Sequence, residues 1–160
     1  ECTNTELTRA EAEVVLVKLW AHSLGNVNIF VEHKCECGQV LQVPVSLDRA
    51  NCSKKKPIIQ ELKGFKLVLK EPKLFDDSNV IQMILKSIDH ISVGDEQIKL
   101  EDLTDVEQGD FYEAITNDII TELKNKLLES TVELAVPVIC DCGKNSVLHL
   151  KGLTDFMRIL

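Results

Sequence analysis

Two short cysteine-containing turns limit what this chain can fold into. Cys35-Glu36-Cys37-Gly38 and Cys140-Asp141-Cys142-Gly143 share the pattern Cys-x-Cys-Gly and stand about a hundred residues apart. Each lies between two β-type runs, within residues 27–45 (VNIFVEHKCECGQVLQVPV) and 132–150 (VELAVPVICDCGKNSVLHL). Glycine lacks a Cβ, so a Cys-Gly turn lets the backbone fold back and point its amides toward the sulfurs. We therefore predict two β-hairpins, each with two cysteines at its tip.

Together, the two tips supply the ligand set of a structural zinc site. Four thiolates in a closed tetrahedron are typical of such sites. The predicted metal ligands are Cys35, Cys37, Cys140 and Cys142. In this interpretation, one zinc ion joins the N-terminal hairpin to the C-terminal hairpin in a zinc-ribbon-like clip.

The spacing leaves two alternatives open. Zinc ribbons usually space their cysteines Cys-x-x-Cys, whereas one residue separates each pair here. Residues two apart on a straight strand lie too far apart to share an ion, so each strand must already be turning at its cysteines. The alternatives are reduced thiols packed without metal and a disulfide arrangement. Cys52, His33 and His149 could substitute as ligands, although lone residues of these types are more often structural or solvent-facing.

Enzyme motifs are missing from the sequence. It contains no Walker A loop, no G-x-G-x-x-G, no H-E-x-x-H and no G-x-S-x-G. A catalytic zinc needs an open coordination position, and four thiolates leave none. We predict that the protein is not an enzyme and has no catalytic or cofactor-binding residues besides the metal ligands.

Composition excludes several classes of function. The net charge of −8 argues against a general binder of nucleic acid or of anionic membranes, which relies on clustered Lys and Arg. No apolar run reaches the length of about 18 residues that a membrane span needs. Six cysteines in 160 residues, four of them in tight pairs, do not resemble a secreted disulfide framework and favour a reducing cytoplasm. The chain opens with Glu1 rather than Met, which is compatible with a segment upstream of it.

Hydrophobic periodicity predicts an α+β fold with antiparallel hairpins and four to five helices. We predict a single domain, 1–160, with a helix at 7–24, the first cysteine hairpin at 27–45, a strand-and-helix insert at 65–129 and the second cysteine hairpin at 132–150. The most loop-like part is 46–63. It contains Lys54-Lys55-Lys56, a charge run of the kind that is usually solvated. A helix is predicted over 79–90, and Thr104 with Glu107 fits a capping box.

Several segments, in order, resemble the small hub proteins of T4-like phage baseplates. An apolar helix precedes a hairpin with a cysteine-glycine tip and a lysine-bearing loop. The later segment IDHISVGDEQIKLEDLTDVEQGDF is similar to that family's helix, G-D turn and T-x-x-E helix start. The closing CDCG…LHLKGLTDF resembles its C-terminal cysteine pair and L-x-G-L-x-D-F. The resemblance covers about residues 7–156. Both cysteine pairs are one residue shorter than the family's, and the family's N-terminal β-rich segment is absent.

The resemblance implies a structural or assembly protein without enzymatic activity. Such proteins are needed to build the central hub of a contractile tail's baseplate in the cytoplasm of the infected cell, and some members stay in the virion. The implied partners are other tail and baseplate hub proteins, with no membrane and no nucleic acid. The apolar helices at 7–24 and 79–91 are candidate partner surfaces, and the oligomeric state is left open.

Two other function classes are carried as alternatives. One is a zinc-ribbon module that binds nucleic acid or the transcription machinery, which a basic face around Lys54–Lys56 and Lys63–Lys70 would favour. The other is a thiol redox enzyme, which requires a lowered pKa at Cys37 or Cys142.

Overall fold

The computed structural model describes residues 7–53, 57–74 and 76–159 of the chain. The fold is α+β, and all paired strands are antiparallel. The described helices are α1 (Arg9–Leu24), α2 (Val80–Ser87), α3 (Asp105–Ala114), α4 (Asn117–Leu127) and α5 (Gly152–Ile159). The described strands are β1 (Asn28–Lys34), β2 (Val40–Ser46), β3 (Asn51–Cys52), β4 (Ile58–Leu62), β5 (Phe65–Leu69), β6 (Ile88–Val93), β7 (Glu96–Ile98), β8 (Val132–Ile139) and β9 (Asn145–Lys151).

Residue contacts divide the chain into two compact units. The hairpin unit comprises Ala10–Ser53 and Thr131–Leu160, and the insert unit comprises Glu1–Arg9 and Lys54–Ser130. The hairpin unit holds the sheets β1-β2 and β3-β8-β9, and the insert unit holds the sheet β4-β5-β6-β7. The single-domain interpretation stays a prediction, and one cooperative unfolding transition would support it.

Both predicted hairpins are present in the hairpin unit. β1 pairs with β2 from Asn28↔Ser46 to Lys34↔Val40, and β8 pairs with β9 from Glu133↔Lys151 to Ile139↔Asn145. Successive side chains of a strand point to opposite faces. In β1 the odd-numbered positions face inward, and Val31 is buried there. In β8 the even-numbered positions face inward, and Val132, Leu134 and Val138 are buried there.

The core of the hairpin unit is aliphatic, with one aromatic ring. Val17 and Ala21 from α1 and Phe156 from α5 are fully buried among the inward side chains of the strands. The cluster consists of Val17, Ala21, Val31, Val43, Val45, Leu47, Ala50, Val132, Leu134, Val138, Leu148, Leu150 and Phe156. Burying each large apolar side chain contributes about 1.5–3 kcal/mol, so this cluster fixes how the two hairpins pack within the unit.

A buried carboxylate joins α1 to the start of β8. Glu13 is 7% exposed, accepts a hydrogen bond from the Val132 amide at 3.0 Å, and accepts a second from the Thr131 hydroxyl. Buried polar groups that lose a partner incur the full cost of their desolvation. Glu13 therefore positions the strand that leads to the second cysteine turn.

Glu13→Ala should destabilise the protein by about 2–3 kcal/mol, because the Thr131 hydroxyl and the Val132 amide lose their acceptor in a buried site. Urea unfolding followed by circular dichroism measures the change. Glu13→Gln keeps one acceptor oxygen and should be clearly milder. Equal losses for both variants would contradict the role of these hydrogen bonds.

The insert unit packs three helices against a four-stranded sheet. Its core consists of Leu67, Leu69, Met83, Ile84, Ile91, Phe111, Leu123 and Leu127. The predicted capping box is confirmed, since Thr104 and Glu107 exchange both hydrogen bonds at the start of α3. Hydrogen bonds from the Thr104 hydroxyl and amide lower the pKa of the Glu107 carboxyl.

Two local predictions are wrong in this unit. Residues 46–63 are not all loop, because Ile58–Leu62 forms β4 and pairs with β5. The helix predicted over 79–90 ends at Ser87, and Ile88–Val93 forms β6 between β5 and β7. Lys54-Lys55-Lys56 lies outside the described residues.

Within the described part of the chain, no helix is both long and apolar enough to cross a membrane.

Candidate metal centre

The strand alternation delivers the first cysteine of each pair to the interior. Cys35 continues the inward positions of β1, and Cys140 continues those of β8. Their side chains are only 4% and 2% exposed. Cys35 is buried for the same reason as Val31, four residues before it, and Cys140 for the same reason as Val138, two residues before it.

Each hairpin then turns sharply, and the turn brings its second cysteine toward the first. The Gly38 amide donates to the Cys35 carbonyl at 2.9 Å, and the Gly143 amide donates to the Cys140 carbonyl at 2.8 Å. Both glycines have positive φ, 94° and 82°. This is the pattern of a three-residue hairpin loop, whose last loop residue adopts a left-handed conformation. The requirement that the strand already turn at its cysteines is therefore met.

The four thiols meet at one point. Cys35 Sγ lies 3.8 Å from Cys142 Sγ, and Cys37 Sγ lies 3.7 Å from Cys140 Sγ. All four sulfurs lie within 4.8 Å of one another, so this cluster could hold a metal ion. The first cysteine of each turn faces the second cysteine of the other, which gives the cluster an approximate twofold arrangement.

None of the four cysteines forms a disulfide. A disulfide has an S–S distance of about 2.05 Å, far below the separations here. The disulfide alternative is therefore wrong for this structure. The metal-free thiol alternative is compatible with the same geometry.

Backbone amides point toward the sulfurs, as predicted from the glycine turns. The Gln39 amide hydrogen-bonds to the Cys37 thiol and is the largest cause that lowers its pKa to about 7. The Cys142 amide lowers the pKa of Cys140, but burial and the three neighbouring thiols outweigh it and raise that pKa to about 12. The Lys144 amide likewise hydrogen-bonds to the Cys142 thiol and lowers its pKa. Burial and the thiols Cys37 and Cys35 outweigh this effect and raise the pKa of Cys142.

These shifts describe a site in which the Cys37 thiol ionises most easily, while burial and hydrogen bonds among the thiols suppress ionisation of Cys140 and Cys142. Thiols this close to one another are expected to titrate as a coupled set. Of the two cysteines that the redox alternative requires, only Cys37 has a lowered pKa. Thiolates are also the form that binds metal, so a cation at the centre would oppose this mutual suppression.

Polar side chains join the two turns reciprocally around the sulfurs. The residue between the cysteines of one turn contacts the residue after the glycine of the other. Lys144 pairs with Glu36 at 2.8 Å, and Gln39 donates to Asp141 at 3.1 Å. The Cys140 thiol also donates to the Gln39 side-chain oxygen at 3.2 Å. Exposed pairs of this kind contribute about 0.2–1 kcal/mol each to stability. Their main effect is therefore to orient the two turns, and they stabilise the contact between the turns only weakly.

The three residues considered as substitute ligands are not part of the cluster. His33 Nε2 hydrogen-bonds with Ser146 Oγ at 2.9 Å, which joins the two hairpins outside the sulfur cluster. Cys52 lies in the short strand β3, paired with Val132 of β8. His149 is exposed on β9 opposite Ala135. Each is explained by a structural or surface position, as the sequence analysis favoured.

Comparison with known proteins gives a consistent result. The family described as "T4 bacteriophage base plate protein" matches residues 1–158. A protein of Enterobacteria phage T4 named "Baseplate hub assembly protein gp26" is 38% identical over 162 residues, which cover 100% of this chain and 78% of that protein. No solved structure matches the chain.

Proposed function

Because the chain belongs to the family of T4 bacteriophage base plate proteins, we propose that it is a non-enzymatic structural or assembly protein of a phage tail baseplate hub. The observation that carries this proposal is the 38% identity, along the whole chain, to a phage T4 protein named for hub assembly. In this role it acts through contacts with other tail and baseplate hub proteins. It works in the host cytoplasm during assembly and takes a place in the tail baseplate of the virion.

Exposed apolar side chains support a role in protein contacts. Leu19 and Leu24 on α1 are 58% and 59% exposed, and Ile81 on α2 is 48% exposed. These two helices are the ones whose broad apolar faces suggested partner surfaces. Single exposed apolar residues are ordinary on soluble proteins, but here they recur along one helix.

We further propose that the four cysteines hold one structural zinc ion. Sulfurs at about 2.3 Å from zinc in a regular tetrahedron lie about 3.8 Å apart. Two of the cross-turn separations, Cys35 to Cys142 and Cys37 to Cys140, are 3.8 and 3.7 Å. Amide hydrogen bonds to the thiolates supply the outer-shell support that such sites normally have. The four cysteines would occupy all four coordination positions of the ion, which suits a structural rather than a catalytic zinc.

The zinc would act as a clip between two hairpins that are far apart in sequence. Its ligands come from both sides of a long intervening segment, so binding the ion helps to close the hairpin unit. Metal binding of this kind is linked to folding, with apparent free energies on the order of 10 kcal/mol in zinc-binding peptides. The clip would give an assembly protein a rigid hairpin unit.

The alternative of a nucleic-acid-binding zinc ribbon has no support from the relative or from the family. Two lysines on the face that would favour it are already paired, Lys66 with Glu61 at 2.9 Å and Lys70 with Asp89 at 2.7 Å. Ion-paired lysines contribute little to phosphate binding, which depends on net positive charge.

Affinity purification of the tagged chain from infected cells, followed by mass spectrometry, tests the proposed function. Recovery of tail hub proteins in defined ratio to the chain is the expected result. Recovery of polymerase subunits or DNA, without hub proteins, would overturn the assembly role. A salt-sensitive gel shift of nucleic acid with the purified chain would likewise favour the nucleic-acid-binding alternative over the assembly role.

A further inference from the structure

The insert unit carries an apolar cleft that its own fold leaves open. The cleft lies where the ends of β5, β6 and β7 meet α3. Its apolar lining consists of Phe65, Ile91, Val93, Ile98, Leu103 and Phe111, and Glu107 and Asp110 stand at its rim. Val93 is 44% exposed, so the lining is open to solvent at that point. We refer to these eight residues as the acidic-rimmed cleft.

The size of the cleft suits a side chain better than a cofactor. Its volume is about 160 Å³. An engineered apolar cavity of about 150 Å³ binds benzene, whereas small-molecule sites usually measure about 300–1,000 Å³. One bulky apolar side chain of a partner fits this space.

The segment that supplies much of the cleft's lining is strongly acidic. Between Asp95 and Glu113, the sequence has eight carboxylates and one lysine, which is a net charge of −7 out of −8 for the whole chain. All eight acidic residues are exposed. This segment forms β7, α3 and the link between them, which are also elements that line the cleft.

Little within the described part of the chain neutralises this charge. The single lysine, Lys99, pairs with Glu101 at 3.5 Å. Glu107 is held by Thr104, and its lowered pKa keeps it ionised. Asp110 has no ion-pair partner among the described residues. A region of this kind attracts a basic partner and repels nucleic acid and acidic surfaces.

We propose that the acidic-rimmed cleft docks a basic segment of a partner protein. One bulky apolar side chain of that segment enters the cleft, and flanking Lys or Arg residues face Glu107 and Asp110. Such an anchor in a pocket with a charged rim is the usual anatomy of a binding hot spot. The inference rests on the proposed function, because it assigns the surface through which an assembly protein would contact its partner.

Site-specific photocrosslinking identifies the occupant. The chain is produced in infected cells with the photoreactive residue p-benzoylphenylalanine in place of Val106, which is 74% exposed, adjoins Glu107 in α3 and does not line the cleft. The cells are irradiated, and the crosslinked peptide is sequenced. The expected peptide belongs to another protein, has a net positive charge and contains a large apolar residue between its basic residues. Crosslinks to acidic segments, to a second copy of this chain, or to nothing would overturn the proposal.

A charge-reversed rim gives the matched test. Asp110→Lys should lower the crosslink yield about tenfold, because a close charge pair becomes a repulsion. Glu129→Lys makes the same change of charge on an exposed site outside the cleft and should leave the yield unchanged. Equal yields for the two variants would contradict the docking mode. If hub proteins still co-purify while crosslinks at Val106 do not form, the cleft proposal fails and the assembly function stands. A basic crosslinked peptide from a protein unrelated to tails would support the cleft proposal and contradict the assembly function.

Discussion

Cys142→Ser should abolish metal binding and lower the midpoint of thermal unfolding by about 10 °C or more. Serine keeps the size of the side chain but removes one of four thiolates from a site whose sulfurs lie within 4.8 Å of one another. Zinc binding in small zinc sites is worth on the order of 10 kcal/mol. In a domain of this length, each kcal/mol shifts the midpoint by about 2–4 °C. Even half of that binding energy therefore produces a large shift.

Differential scanning calorimetry and metal analysis of the same samples measure the effect. Cys52→Ser is the matched control, since Cys52 lies in β3 outside the cluster and should leave the metal content unchanged. A chelator should destabilise the wild-type protein and have little effect on Cys142→Ser. If the midpoint and the metal content are the same in both serine variants, the cysteines are packed thiols without metal.

Phe156→Ala should cost about 3–5 kcal/mol, the range for truncating a large buried aromatic side chain. Phe156 in α5 is 0% exposed and belongs to the same core cluster as the inward residues of both hairpins. Alanine leaves a cavity that strands tied together at their tips can only partly fill. Chemical denaturation of the metal-loaded protein measures the loss.

Phe30→Ala provides the control for this prediction. Phe30 lies on the outer face of β1 and is 72% exposed, so the same substitution should change stability by no more than about 0.5 kcal/mol. Similar losses at the two positions would mean that the packing of the hairpin unit differs from that described. A small loss at Phe156 alone would show that α5 does not close the core.

The cysteine cluster was predictable because its signal is local. Two residues of one type, one glycine and two β-type runs determine a hairpin with both thiols at its tip. Whether the two tips meet depends on long-range packing, but the repetition of the Cys-x-Cys-Gly turn, with four thiolates making up a complete structural zinc site, pointed to it. What the sequence did not indicate is the reciprocal contact of Glu36 with Lys144 and of Asp141 with Gln39, since these residues are ordinary for turns.

The errors lie where long-range pairing overrides a local pattern. In β4, the buried face includes Gln60, whose amide is satisfied by Glu122 and Lys126 of α4. A polar residue on the inner face hides the alternation that would otherwise reveal the strand. In β6, Ile88 and Ile91 continue the helical spacing of α2, but pairing with β5 and β7 converts them to a strand.

Glu13 was missed for a related reason. In an isolated helix, a glutamate is a typical surface residue, and nothing nearby marks it as buried. Its partners, Thr131 and Val132, are more than a hundred residues away in sequence. The acidic-rimmed cleft likewise depends on strands and a helix coming together, although its charge is visible in the sequence.

X-ray absorption spectroscopy at the zinc edge, together with the metal content of the purified chain, tests the central claim most directly. That claim is that four sulfurs from two distant turns hold one ion. We expect one zinc per chain with four sulfur neighbours at about 2.3 Å. A folded protein without bound metal and with all four thiols titratable, or zinc bound by nitrogen or oxygen ligands, would contradict it.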